Sequence, residues 1–133
     1  MNIKFVIFTL ILIITANMLG QGKLSLLEIE KMKEYLSLYD SQFTVFIANI
    51  DKIKGILEED KAIISNLKTR FKNGDEPGFF EKIKVKLARD SRAGKIDDLL
   101  DDIEDQLNDE QKTKYKNIEK PVLKSLSKKE LTE

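Results

Sequence analysis

The sequence predicts an all-α protein: one long amphipathic, heptad-patterned helix packed with two or three shorter helices, as a bundle or a helical hairpin. Three observations carry this. Apolar residues recur in alternating steps of three and four through most of the first half of the chain. No stretch alternates apolar and polar residues with the period of two that a half-buried strand requires. Only two prolines and six glycines punctuate 133 residues, too few for a loop-rich fold.

Residues 1–22 stand apart from this pattern. Lys4 is their only charge, and Phe5 to Leu19 form an apolar run. A short positive region followed by an apolar run of this length is the pattern of a secretory signal peptide, and the run is shorter than the roughly 20 residues of a spanning helix. Gly20 and Gly22 supply the small residues for cleavage before Lys23. The expectation is an export signal, or an uncleaved N-terminal anchor, followed by a helical domain over 23–126 and a polar, frayed tail over 127–133. Gln21 stands where a lipobox would carry cysteine, so lipid cannot be attached there.

The long helix is read from Ile29, Met32, Leu36, Tyr39, Phe43, Phe46, Ile50, Ile53, Leu57, Ile64, Leu67 and Phe71, six heptads in one register. Ser25 is its expected N-cap, with Glu28 completing a capping box. The run Asn73–Gly78 ends it. About 47 residues at 1.5 Å each would span roughly 70 Å. The unbroken register favours a continuous or kinked helix, with Lys54-Gly55 and Glu58-Glu59-Asp60 as places for a bend or a hairpin. Asp60 is the one misfit in the apolar row. It reads as a bend, a polar register-setter or the exposed end of the contact.

A second helix starts near Pro77, with a stripe of Phe80, Ile83 and Leu87 flanked by Phe79 and Val85, and stops at Ala93-Gly94. A third carries Ile96, Leu99, Leu100, Ile103 and Leu107 on one face. Asn108 or Asp109 caps a fourth, with Tyr115, Ile118, Val122 and Leu126, which Pro121 kinks or ends.

The 23 basic and 23 acidic residues cancel in sum but are segregated. Lys82, Lys84, Lys86, Arg89 and Arg92 form a basic block. Asp97, Asp98, Asp101, Asp102, Glu104, Asp105, Asp109 and Glu110 form an acidic one. Lys112, Lys114, Lys116, Lys120, Lys124, Lys128 and Lys129 form a second basic block. Acids interleaved with a helical apolar stripe suit a solvated face, with Asp97, Asp101 and Asp105 as one outward row, rather than a calcium loop. The basic blocks suit charge pairing with that acidic helix, or an anionic surface.

The chain has no cysteine and no histidine, which removes disulfides, thiolate zinc sites, the cysteine nucleophile and the commonest general base. Nothing places two carboxylates in an apolar setting that would raise one pKa. The expectation is a non-enzymatic protein with no catalytic residues, no metal, no cofactor, no small-molecule substrate and no specific nucleic acid. Its partner is another protein or its own copies, or an anionic surface. The aromatic row Tyr39, Phe43, Phe46 and Phe71 is expected in the core. Tyr39, Phe43 and Phe46, with Lys82, Lys84, Lys86, Arg89, Lys112 and Lys116, are the candidate partner-binding residues.

The Lys/Ile/Asn/Asp-rich style and short signal resemble small helical exported proteins of Borrelia, with Phe71-Lys72-Asn73-Gly74-Asp75 and Leu107-Asn108-Asp109-Glu110-Gln111-Lys112-Thr113 similar to stretches of them. That resemblance implies surface display and binding of host ligands or immune proteins, though the cysteine that would tether such a protein by lipid is missing here. Leu107-Asn108-Asp109-Glu110-Gln111 is also similar to the Leu-Thr-x-x-Gln motif of Spy-type periplasmic chaperones, with asparagine for threonine, which implies a helical cradle for unfolded clients.

Overall fold

The computed structural model describes residues 24–132; the expected export segment lies outside them. Five helices follow one another among the described residues: α1 Ile29–Tyr35, α2 Asp40–Lys72, α3 Phe79–Asp105, α4 Asp109–Tyr115 and α5 Lys128–Thr132. The all-α class is as expected. An isolated parallel bridge joins Ser25 to Glu119, where the Leu26 N–H donates to the Glu119 carbonyl and the Glu119 N–H to the Leu24 carbonyl, both at 2.9 Å.

Helices α2 and α3 form an antiparallel hairpin that is the spine of the molecule. Asn49 Nδ2 donates to the Leu99 carbonyl at 3.2 Å and Gln42 Nε2 to the Gln106 carbonyl at 2.8 Å, while Arg92 meets Asp60 nearer the turn. The turn is built by the residues that end α2. Gly74 has φ +76°, its N–H donates to the Phe71 carbonyl, and the Asp75 N–H donates to the Arg70 carbonyl at 2.8 Å. This is the Schellman pairing, which satisfies the last carbonyls of a helix and favours glycine at the left-handed position.

The single long helix expected over residues 25–72 is instead α1 and α2. The break falls at Leu36–Tyr39, not at Lys54-Gly55 or Glu58-Glu59-Asp60, where α2 runs through unbroken. Ser37 adopts φ +52°; its N–H donates to the Glu34 carbonyl and the Leu38 N–H to the Lys33 carbonyl, both at 3.1 Å. This too is a Schellman ending, with serine where glycine would be the cue. Helix α2 restarts with the Tyr39 N–H donating to Gln42 Oε1 at 2.9 Å. Leu36 and Leu38 are both buried across the break, so Leu38 takes the core place that the unbroken row would have given to Tyr39. Tyr39, expected in the core row, is exposed because it caps α2. The Ser25–Glu28 box forms only loosely, and the helix proper begins at Ile29.

The second and third expected helices are one, α3, of 27 residues. Ala93-Gly94 does not stop it. Gly94 is exposed mid-helix with open space where a Cβ would stand, and the modest propensity cost of a glycine is outweighed by the burial of Ile96 in the core and the pairing of Arg92 with Asp60 on either side. Helix α4 begins where expected. Asn108 Oδ1 accepts from the Gln111 N–H at 2.8 Å, and the Asn108 N–H donates to Gln111 Oε1 at 2.9 Å. It ends at Tyr115, well before Pro121, and Val122 is exposed rather than part of an apolar stripe. Among the described residues of the expected tail, Lys128–Thr132 are helical and pack against α2 rather than fraying.

The main core lies at the end of the hairpin away from the turn. Leu26, Met32, Leu36 and Leu38 pack with Phe46, Ile50 and Ile53 of α2 and Ile96, Leu100 and Ile103 of α3, closed by Leu107, Tyr115 and Ile118. Tyr115 donates its hydroxyl to the Leu100 carbonyl at 3.2 Å, and burial pushes its phenol pKa up. Gly94→Ala is expected to stabilise the protein by about 1 kcal/mol, because the site is helical, open and exposed. A thermal melt checks this, and an unchanged or lower midpoint would contradict a continuous α3.

Candidate functional site

The rotation of α3 about its axis decides which of its side chains face solvent. Two arginines set that rotation. Arg92 donates through Nε and Nη2 to Asp60 Oδ1 at 3.0 and 2.8 Å. Arg89 Nε lies 3.5 Å from the same oxygen without a hydrogen bond of its own, and Arg89 grips Glu130 of α5 with both Nη atoms at 2.7 and 3.0 Å. Asp60, Arg89 and Arg92 are 5–7% exposed. Asp60 is therefore the polar register-setter among its three readings, and Arg89 is a structural residue rather than a partner-binding one. The hydrogen bonds with Arg89 hold the Glu130 carboxyl below its ordinary pKa of 4.5, and the same contact raises the Arg89 pKa.

With Arg89 and Arg92 turned inward, Phe80 and Leu87 must point out. Arg89 is nine positions past Phe80, and at 100° per residue that places the two half a turn apart. The stripe expected to pack is accordingly bare: Phe79 is 72% exposed, Phe80 78%, Leu87 62% and Ile83 40%. The Phe79 and Phe80 rings stand edge to face, 5.6 Å between centroids. Exposed single apolar residues are ordinary, but four gathered in one helical patch are less so.

Charge surrounds this patch. Residues 61–92, the turn end of the hairpin, hold nine bases and four acids; residues 93–119 hold four bases and nine acids. Most acids of the turn end are already paired: Asp75 and Glu81 with Arg70, Glu76 with Lys82, all exposed. Lys84 and Lys86 are exposed beside the apolar patch. The ion pairs of the first basic block thus go to Glu76, Asp60 and Glu130, and not to the acidic block that follows it on the same helix. One straight helix cannot fold its two halves together, so the expected pairing between them is absent. Asp97, Asp101 and Asp105 do form an exposed row. Bases near the start of α3 and acids near its end oppose the helix dipole, which favours the reverse.

The remaining candidates are dispersed. Phe46 is buried and Phe43 half-buried beside it with Lys33 4.7 Å over its ring, so both belong to packing. Lys82 is paired. Lys112 and Lys116 lie on α4 and just past it, at the other end of the molecule. Gln111, part of the chaperone-like motif, is buried; its Nε2 donates to the Ser37 carbonyl at 3.3 Å and to Gln42 Oε1 at 2.9 Å, so it locks the α1–α2 turn. Between the turn and α5 lies a cavity of about 190 Å³ lined by Leu67, Phe71, Pro77, Val85, Leu126 and Leu131. Among the described residues no cluster of acids is arranged to hold a metal ion, and no helix is long and apolar enough to cross a membrane.

Compared with protein families, curated proteins and solved structures, the chain matches none.

Two outcomes follow from the ion cluster. Asp60→Ala strands the buried Arg92 guanidinium and leaves Arg89 with Glu130 alone, and is expected to cost about 3–5 kcal/mol, whereas Asp60→Leu combined with Arg92→Met regains most of that; denaturant midpoints check both. Because the Glu130 pKa is lowered on folding, its contribution is complete above pH 4.5 and is lost as pH falls through the folded value. Amide and Glu130 carboxyl NMR signals are expected to show α5 detaching in that acid range while the main core stays folded.

Proposed function

We propose that this chain is an exported, non-enzymatic helical interaction protein of a bacterial cell envelope or surface, which binds its partner through the outward face of α3. The observation that carries this reading is the bare Phe79-Phe80-Ile83-Leu87 patch on a helix whose opposite face is already committed to the core. A water-exposed patch of this kind gives up hydration free energy that contact with a partner would recover. The apolar run at Phe5–Leu19 supports export. The chemistry of the side chains supports a binding rather than a catalytic role, since the titratable groups held away from their ordinary pKa sit in structural ion pairs or, for Tyr115, in the core.

The lysine-rimmed apolar face also favours a second reading, a periplasmic chaperone-like holder of unfolded clients. That reading requires the chain to suppress aggregation of a denatured client in proportion to its concentration.

Cell fractionation with N-terminal sequencing tests the first reading. The wild-type product is expected in the envelope or outside the cell, and Phe80→Asp/Leu87→Asp is expected to lose its binding partner while keeping wild-type helicity by circular dichroism. Retention of the wild-type product in the cytosol, or indifference of binding to the double substitution, would sink it.

A further inference from the structure

We propose that the turn end of the α2–α3 hairpin docks on a bilayer carrying anionic phospholipid, with Phe79, Phe80, Ile83 and Leu87 entering the headgroup boundary and Lys84 and Lys86 meeting lipid phosphates. The proposal rests on the reading of this face as the binding surface and names what it binds.

The argument is one of complementarity. The patch presents apolar and cationic groups side by side, two aromatic rings at the start of a helix and exposed lysines flanking the stripe. An amphipathic helix with phenylalanine and leucine on one side and lysine beside it suits the interface between acyl chains and anionic headgroups. A soluble polyanion would meet the lysines and leave the rings in water. A second copy of this chain, packed patch to patch, would bring Lys84 and Lys86 against their own counterparts. Four side chains also offer only a few hundred Å², short of the roughly 800 Å² per partner of a stable protein interface.

The rest of the molecule orients the contact. Of the acids at this end, Glu81 is paired with Arg70 and Glu76 with Lys82, and exposed Asp90, one turn past Leu87, is outnumbered by Lys84 and Lys86. Lys128 acts on Glu76 and Lys68 on Glu130, which puts further cations at the same end. The far end carries the acidic excess of residues 93–119. A rod about 50 Å long with opposite charge at its two ends turns its basic end towards an anionic surface.

The readout must be local, because the apolar run at Phe5–Leu19 would itself partition into lipid. The chain contains no tryptophan. The full chain carrying Phe80→Trp therefore reports from the patch alone, and Tyr39→Trp reports from an exposed position at the acidic end. On vesicles of phosphatidylcholine mixed with phosphatidylglycerol, the Phe80→Trp emission is expected to shift to the blue and to be quenched by brominated lipid, while Tyr39→Trp is unaffected. Pure phosphatidylcholine should leave both unchanged. Lys84→Glu/Lys86→Glu should weaken the apparent partitioning of the Phe80→Trp chain by roughly tenfold or more. Emission from Phe80→Trp that ignores the anionic vesicles, or that shifts equally on neutral ones, overturns the proposal. If lipid fails but Phe80→Asp/Leu87→Asp still abolishes envelope binding, the binding-face reading stands and only the lipid assignment falls; if that variant also binds normally, both fall.

Discussion

The arrangement of this molecule depends on one buried carboxylate. Asp60 sits on α2 between Ile53 and Ile64, in a row that is otherwise apolar, and removing a charge from water there is tolerable only with a cation in contact. Arg92 supplies that contact and Arg89 approaches the same oxygen. Since both arginines come from α3 one turn apart, the ion cluster fixes the register of the hairpin and the rotation of α3 together. Glu130 then balances the second arginine and brings the C-terminal helix onto the hairpin.

The surface follows from that rotation. Once Arg89, Arg92, Ile96, Leu100 and Ile103 face inward, the half of α3 nearest the turn has its phenylalanines and leucine on the outside. A leucine in place of Asp60 and an apolar pair in place of the arginines would fill the same row and leave Ile96, Leu100 and Ile103 alone to specify which face of α3 turns in. Buried ionic groups of this kind trade stability for a defined arrangement. Here the defined arrangement includes the exposed aromatic patch, so packing and proposed function share one cause.

The near-zero net charge also changes character in three dimensions. Because α3 is one helix, its basic and acidic halves lie about 20 Å apart along an axis rather than side by side. The molecule is therefore electrically polar from end to end, with the apolar patch at the basic end.

The sequence by itself determined the all-α class, the apolar rows of α2, the turn at Asn73–Gly78 and the Asn108 cap, because helical period and the cues of asparagine and glycine are local properties. It marked Asp60 as a misfit without naming its partners. It could not reveal the break at Ser37, since a left-handed serine carries no glycine signature. It also misled at Ala93-Gly94, where the apolar rows on either side differ in phase by half a turn and so resemble two helices. Only the tertiary structure decided that one helix carries apolar residues on opposite faces, because the pairing of Asp60 with Arg89 and Arg92 is a contact between residues about 30 positions apart, and such a contact leaves no periodicity to read.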